Sequence, residues 1–140
     1  GWTWPLINRV FLALQHGAQL VALHRNKFWQ TPDGLHVDIG FLVAGFEAVT
    51  GQVAQVMGKP ASACFAQILA HAGVDAAQAL MVGDDLDSDV LGAQACGLTG
   101  VLVKTGKFRE GQLVGRAVQP DVILASVADL PAWLAAQQQP

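Results

Sequence analysis

The sequence predicts an α/β protein built on a parallel, doubly wound sheet with a Rossmann-like alternation of strands and helices. Short, continuously apolar runs alternate with segments of helical periodicity, and glycine or proline residues separate them. Strands buried on both faces of a parallel sheet have such continuous apolar runs, and their alternation with helices is typical of this fold class. Because ligands of these sheets bind beyond the carboxyl ends of the strands, the chemistry is expected there.

The first third of the chain is predicted to contain two helices and one short strand. Apolar residues at helical spacing over residues 6–14 indicate the first helix, with Pro5 in its first turn and Gly17 at its end. Residues 18–23 form a predicted buried strand. A segment rich in turn-forming residues follows at 26–34, and a second helix over residues 41–49 ends at Gly51. No internal repeat relates these elements.

The remaining elements alternate regularly between strand and helix. Four apolar runs are predicted strands, at residues 53–57, 79–82, 101–103 and 122–124. A helix is predicted from Pro60 to Gly73, and a second one spans residues 90–96. Ser126 and Asp129 resemble a capping box ahead of a last helix, which residues 137–140 follow as a tail.

Composition limits the classes of function. Hydrophobic residues make up 52% of the 140 residues and charged residues 14%, which excludes disorder over most of the length. The 8 Lys and Arg against 11 Asp and Glu give a net charge of −3, so neither nucleic acid nor a membrane surface is expected as a partner. No apolar run approaches the roughly 18–20 residues of a membrane span, and a cytoplasmic protein is expected. Cys64 and Cys96 are expected to be free thiols.

Four carboxylates follow the apolar run that ends at Gly83, namely Asp84, Asp85, Asp87 and Asp89. Like charges at this spacing repel one another, and a divalent cation would relieve the repulsion. Mg²⁺ prefers oxygen ligands and keeps several waters, so one or two carboxylates after a strand suit it. The sequence therefore indicates a Mg²⁺ site at this turn.

Three alternatives apply to the same acidic segment. In the first, Asp87 or Ser88 is an ordinary helix N-cap and the other carboxylates are solvated; the acidic segment taken alone fits this alternative as well as it fits a metal site. A calcium loop fits the spacing but not the residues, since Val90 and Cys96 stand where Gly and Glu are required. A receiver-type phosphoacceptor site needs a further Asp after another strand, and Asp121 precedes its strand.

Lys59 follows the predicted strand at 53–57 and precedes a proline that opens a helix. A lysine at this position is usually solvated. If its strand belongs to the same parallel sheet as the acidic segment, however, Lys59 is expected to face the same crevice. A lysine beside Mg²⁺ is the pairing that holds a phosphoryl group and its transition-state charge.

Several segments together resemble a known family. Gly58-Lys59-Pro60 and residues 83–90 are similar to the third and fourth motifs of haloacid-dehalogenase-type phosphatases. Residues 92–97, 103–109 and 31–34 resemble the subfamily with a large αβ cap, which includes 4-nitrophenylphosphatase-like enzymes. The resemblance extends from about Trp4 to Leu134.

The resemblance implies a domain arrangement. Residues 1–50 would be the closing part of the cap, residues 51–136 the second half of a Rossmann-like catalytic core, and residues 137–140 a tail. The activity implied is Mg²⁺-dependent hydrolysis of a small phosphorylated compound or pyrophosphate through a phospho-aspartyl intermediate. Relatives with this cap pair through it, which implies a homodimer.

The resemblance also implies roles for single residues. Lys59 would be catalytic, binding the substrate phosphoryl group and bridging it to the nucleophile. Asp84 would be a direct Mg²⁺ ligand, and Asp89 would orient a metal-bound water or Lys59 without touching the metal. Asp85 and Asp87 are weaker candidates, for supporting or capping roles.

One part of the family pattern is not found in this sequence. The nucleophile of these phosphatases is the first Asp of an Asp-x-Asp motif after an amino-terminal strand. No such segment follows a strand here, since Asp85-Leu86-Asp87 belongs to the fourth motif. The 140 residues alone are therefore expected to be inactive. Without the nucleophile strand, the strand at 79–82 is expected to have an unpaired edge. The alternative is a non-catalytic α/β module that binds Mg²⁺ or phosphate and acts through partners.

Other polar residues are not predicted to belong to the site. The four histidines lack ligand spacing, so ordinary packing or surface roles are expected for them. Lys104, Lys107 and Arg109 are able to attract an anion, but a solvated loop is the preferred interpretation of the segment that contains them.

Overall fold

A computed structural model describes residues 1–137 of the chain, so most of the predicted tail at 137–140 lies outside the described residues. The chain divides into two units, the first comprising residues 1–58 and the second beginning at Lys59. The division expected from the resemblance, between residues 50 and 51, stays a prediction about the domains of the whole protein.

The first unit contains two helices and four short strands: α1 (Trp4–Gln15), β1 (Val21–Ala22), β2 (Phe28–Thr31), β3 (Gly34–Val37), α2 (Gly40–Thr50) and β4 (Gln55–Val56). Strands β1 and β4 pair in parallel, and both are shorter than the predicted runs. Leu14, Leu42 and Phe46 form one buried cluster between α1 and α2. Gly51 ends α2 in the left-handed conformation, with φ of 70°, as its position in the sequence predicts.

The segment predicted as turn-rich forms a β-hairpin. Strands β2 and β3 pair antiparallel around the turn at residues 32–33, and Trp29 lies opposite His36 with ring centroids 6.1 Å apart. The turn itself agrees with its residues, but the two strands were not predicted. Neither strand is fully buried, so neither needs a continuous apolar run. Side-chain pairs between the two strands stabilise them instead.

The second unit holds three strands of the predicted parallel sheet. The strand predicted at 53–57, expected in this same sheet, is instead β4 in a separate two-stranded sheet with β1, because the Gln55 and Met57 backbone N–H groups donate to the carbonyls of Leu20 and Ala22. It contains α3 (Ser62–Ala72), β5 (Leu80–Gly83), α4 (Gly92–Gln94), β6 (Thr99–Val103), β7 (Val122–Leu124) and α5 (Leu130–Gln137). Strands β5, β6 and β7 are neighbours in this order, and both pairings are parallel. The predicted α/β fold class is confirmed. Among the described residues, no helix has the length and apolar character needed to cross a membrane.

Strand β6 lies at the centre of this sheet and β5 at its edge. Val101 and Leu102 of β6 are fully buried, and Leu102 packs with Leu86 and Val90. Within residues 1–137, β5 pairs with β6 alone, so its other side is an open edge. Leu80 of β5 accordingly remains 38% exposed.

The helix after β5 begins earlier than predicted. A π-helical turn spans Leu86–Leu91 and continues directly into α4, whereas the apolar pattern predicted a start at Val90. The reason is a cap: the Asp85 carboxylate accepts a hydrogen bond from the Ser88 backbone N–H at 3.1 Å, which satisfies a free N–H of the first turn. The capping box of Ser126 and Asp129 is present as predicted.

Candidate functional site

The candidate site lies where β5 and β6 end. The two strands are parallel with Gly83 opposite Leu102, so the residues that follow them emerge at the same edge of the sheet. Asp84 and Asp85 follow β5 directly, and the loop that carries Gly106 and Lys107 follows β6. Carboxylates and a lysine thus reach one place from segments far apart in the sequence.

Asp89 is buried against the end of β5. It is 7% exposed, and its Oδ2 accepts a hydrogen bond from the Asp85 backbone N–H at 3.3 Å. A Cβ atom on Gly83 would overlap the Asp89 carboxylate, so the close approach requires a glycine at that position. The π-helical turn therefore brings Asp89 back onto the backbone that leads into Asp84.

Lys59 joins this cluster through its side chain. Its Nζ lies 2.7 Å from Oδ1 of Asp89, and the Lys59 side chain remains 41% exposed. The peptide bond to Pro60 is cis. Pro60 packs on Gly92, where a Cβ atom would come within 2.7 Å of the proline ring. The start of the segment leading to α3 is thereby held against the helix that carries Asp89, with the ammonium accessible to a ligand.

Lys107 also belongs to the cluster, which corrects the prediction of a solvated loop. Its backbone N–H donates to Oδ2 of Asp84 at 2.7 Å, and its Nζ donates to Oδ2 of Asp85 at 3.0 Å. The Lys107 side chain is only 15% exposed, whereas Lys104 in the same loop is 40% exposed and pairs with Glu110. The one sequence signal was its position just after a buried strand of the same sheet.

The environment of Asp85 favours its ionised form. Burial raises the pKa of this carboxyl, but hydrogen bonds from Lys107 and Ser88 and the charge of Lys107 outweigh the effect and lower the pKa below its ordinary value. Asp85 is therefore an anion that is already paired, with one oxygen capping the helix and the other bound to Lys107. This arrangement agrees with the capping role that was one of its predicted roles.

Asp87 makes different contacts. Its carboxylate is 68% exposed and receives two hydrogen bonds from the Arg116 guanidinium, at 2.5 Å and 3.3 Å. The hydrogen bond and charge of Asp87 raise the pKa of Arg116. Among the described residues, no side-chain hydrogen bond or ion pair joins Asp87 to Lys59, Asp84 or Asp89, so its carboxylate is paired with Arg116 instead.

The carboxylate oxygens of the site are of the type that magnesium ions bind. Asp84 accepts the Lys107 hydrogen bond through Oδ2, which leaves Oδ1 as a ligand oxygen, and Mg²⁺ is often bound by one or two carboxylates together with waters. Over the described part of the chain, however, no group of three or more His, Cys, Asp or Glu residues is placed to hold a metal. Asp84 would therefore hold the ion with waters or with groups outside these residues.

Comparison with known proteins identifies the family. Residues 56–130 match the family model described as HAD-hydrolase-like, and they contain every residue of the candidate site. This match covers more than half of the 140 residues. The chain belongs to the haloacid-dehalogenase-like hydrolase family.

Two curated relatives show the extent of the similarity. The human haloacid dehalogenase-like hydrolase domain-containing protein 2 is 40% identical over 106 residues, which cover 76% of this chain and 41% of that protein. The rat phospholysine phosphohistidine inorganic pyrophosphate phosphatase is 35% identical over 131 residues, covering 92% of this chain and 48% of that protein. The chain thus spans somewhat less than half the length of these relatives.

Solved structures show the same fold. The 4-nitrophenylphosphatase from Thermotoga maritima superposes with a TM-score of 0.84 at 26% identity, covering 94% of this chain and 51% of that one. A glycerol phosphate phosphatase from Mycobacterium tuberculosis, solved in complex with magnesium, gives a TM-score of 0.79 at 33% identity, covering 91% of this chain and 39% of that one. The predicted resemblance to large-cap phosphatases of this family is confirmed.

Proposed function

We propose that this chain carries the magnesium- and phosphate-binding part of a phosphatase active site that hydrolyses a small phosphorylated compound or pyrophosphate. One observation supports the proposal most directly. The Lys59 ammonium lies 2.7 Å from Asp89, and Asp89 rests on the backbone that leads into Asp84. A cation and carboxylates at the carboxyl end of a parallel strand form the arrangement expected for a bound phosphoryl group.

Each residue has a distinct part in this proposal. Lys59 contacts the phosphoryl oxygens and balances the charge that develops on them, while Asp89 holds its ammonium at the strand end. Asp84 holds the metal ion. When bound, Mg²⁺ neutralises phosphoryl oxygens and orients the substrate. Asp85 and Lys107 form an ion pair beside the site rather than ligands of the substrate.

The nucleophile is proposed to come from outside these residues. The family resemblance implies attack by the first Asp of an Asp-x-Asp motif, giving a phospho-aspartyl intermediate, and the 140 residues contain no such motif outside the acidic segment at 84–89. Its strand would pair with the open edge of β5. The 140-residue polypeptide is therefore expected not to turn over by itself.

Complementation tests this function. The chain is mixed with the part of the rat relative that it does not cover, and p-nitrophenyl phosphate hydrolysis is measured with and without Mg²⁺. We expect no Mg²⁺-dependent turnover from the chain alone and measurable turnover from the mixture. Lys59→Ala should lower kcat in the mixture about 10²- to 10³-fold, because a group that stabilises transition-state charge is lost.

Matched controls separate the outcomes. Lys104→Ala, an exposed lysine paired with Glu110, should leave turnover unchanged. Equal activity of the Lys59→Ala and unsubstituted mixtures would contradict the role of Lys59. Tight association of the two parts with Mg²⁺ and phosphate binding but no hydrolysis would favour the non-catalytic module instead. A cytoplasmic location and a homodimer formed through the cap stay predictions.

A further inference from the structure

Lys107 makes two contacts of different kinds with two consecutive carboxylates. Its backbone N–H holds Asp84 at 2.7 Å, and its side-chain ammonium holds Asp85 at 3.0 Å. One residue of the facing loop thus reaches both carboxylates, with its backbone on one and its side chain on the other.

The loop itself fits closely around Asp84. Gly106 has a φ of +51°, and a Cβ atom there would overlap Oδ2 of Asp84. The carboxylate thus packs directly on the Gly106 backbone while accepting the Lys107 hydrogen bond. The position of this loop fixes one oxygen of Asp84, which leaves the other oxygen in a defined direction.

We propose that Lys107 is a positioning residue for Asp84: its ammonium anchors the loop on Asp85, and the anchored loop aims the Asp84 carboxylate at the metal. This inference rests on the proposed function in one respect, that Asp84 is the metal ligand. Groups that hydrogen-bond to ligating carboxylates orient them, and their removal commonly weakens metal binding by about 10- to 100-fold.

The sign of the effect separates positioning from simple charge. Lys107 is a cation beside an acidic cluster, so its charge alone opposes the binding of a metal ion. If charge were its whole role, removal of the ammonium would strengthen metal binding. If Lys107 positions Asp84, removal weakens metal binding although the local charge becomes more negative.

The test uses the 140-residue chain and Lys107→Met, which keeps the backbone N–H and most of the side-chain length but removes the charge. NMR measures amide hydrogen exchange at residue 107 without metal, and then line broadening by Mn²⁺, which binds oxygen ligands as Mg²⁺ does. Lys107→Arg retains a cation for Asp85, and Lys104→Met removes an exposed cation from the same loop.

We expect Lys107→Met to lose amide protection at residue 107, to keep protection in β6, and to bind Mn²⁺ at least about tenfold more weakly. Lys107→Arg should restore most of both properties, and Lys104→Met should match the unsubstituted chain.

Two results would overturn the inference: unchanged amide protection at residue 107, or unchanged or tighter Mn²⁺ binding by Lys107→Met. If the unsubstituted chain did not bind Mn²⁺ at Asp84, that result would instead contradict the proposed function and the claim that Lys107 aims Asp84 at the metal. Amide exchange at residue 107 would then still show whether the Lys107 ammonium anchors the loop on Asp85.

Discussion

Strands β5 and β6 are parallel neighbours with the same apolar character, yet they contribute differently. Strand β6 has a partner on each side, and Val101 and Leu102 are completely buried. Strand β5 pairs on one side among the described residues, and Leu80 is 38% exposed. The carboxylates, however, follow β5. The central strand therefore stabilises the unit, whereas the carboxylates of the candidate site follow the less buried edge strand.

The largest effect on stability should come from truncating a buried side chain of the central strand. Leu102→Ala removes a fully buried side chain that packs with Leu86 and Val90, and should lower the free energy of unfolding by about 2–5 kcal/mol. Leu80→Ala at the edge should cost about 1 kcal/mol or less, because its side chain is already partly hydrated. Urea unfolding measures both. Equal losses for the two variants would remove the distinction between centre and edge.

A smaller effect is expected where β5 ends. Gly83→Ala places a Cβ atom on the Asp89 carboxylate, so Asp89 must move and its contact with Lys59 is disturbed. Overpacking of this kind costs about 1–3 kcal/mol in unfolding free energy.

Gly111→Ala is the matched control for this substitution, since nothing lies within 4 Å of a Cβ atom at that position. It should leave the unfolding free energy within about 0.5 kcal/mol of the starting value. If Gly83→Ala were equally neutral in thermal or urea unfolding, the close packing of Asp89 on the strand end would be refuted.

The smallest effect concerns pH. The pKa of Asp85 is lowered from its ordinary value of 3.8, so ionised Asp85 stabilises the folded state fully above pH 3.8. This contribution is lost as the pH falls through the lowered pKa of the folded state. Asp85→Asn keeps an oxygen to cap the helix but cannot titrate, and should show a shallower loss of unfolding free energy below pH 4. If the unfolding free energy of Asp85→Asn and of the unsubstituted chain fell equally below pH 4, the lowered pKa of Asp85 would be contradicted.

The sequence predicted those parts of the fold and site that depend on residues close together along the chain. An apolar run, Gly83, and then Asp84 identify a strand end and its carboxylates within a few residues, and Gly58-Lys59-Pro60 does so for the lysine. Lys107 was missed because its contact with Asp84 spans 23 positions and depends on the register that places Gly83 opposite Leu102. Periodicity carries no information about such a register.

Two structural elements were misjudged for related physical reasons. The hairpin of β2 and β3 is stabilised by pairs between strands rather than by a buried run, so the apolar pattern did not reveal it. The helix after β5 starts at Leu86 because the Asp85 side chain caps it, although the apolar residues predicted a start at Val90. In both cases a contact between specific residues, rather than the apolar pattern, determined where the element forms.

The convergence of Lys59 and Asp84 on one ligand is tested most directly by phosphate binding. NMR titrations of inorganic phosphate, with and without Mg²⁺, compare the unsubstituted chain with Lys59→Ala and Asp84→Asn, and with the controls Lys104→Ala and Asp87→Asn. We predict that phosphate binding requires Mg²⁺, is lost in the first two variants and persists in both controls. Phosphate binding that is independent of Mg²⁺, or that Asp87→Asn abolishes as fully as Asp84→Asn does, would contradict a shared site at the end of β5.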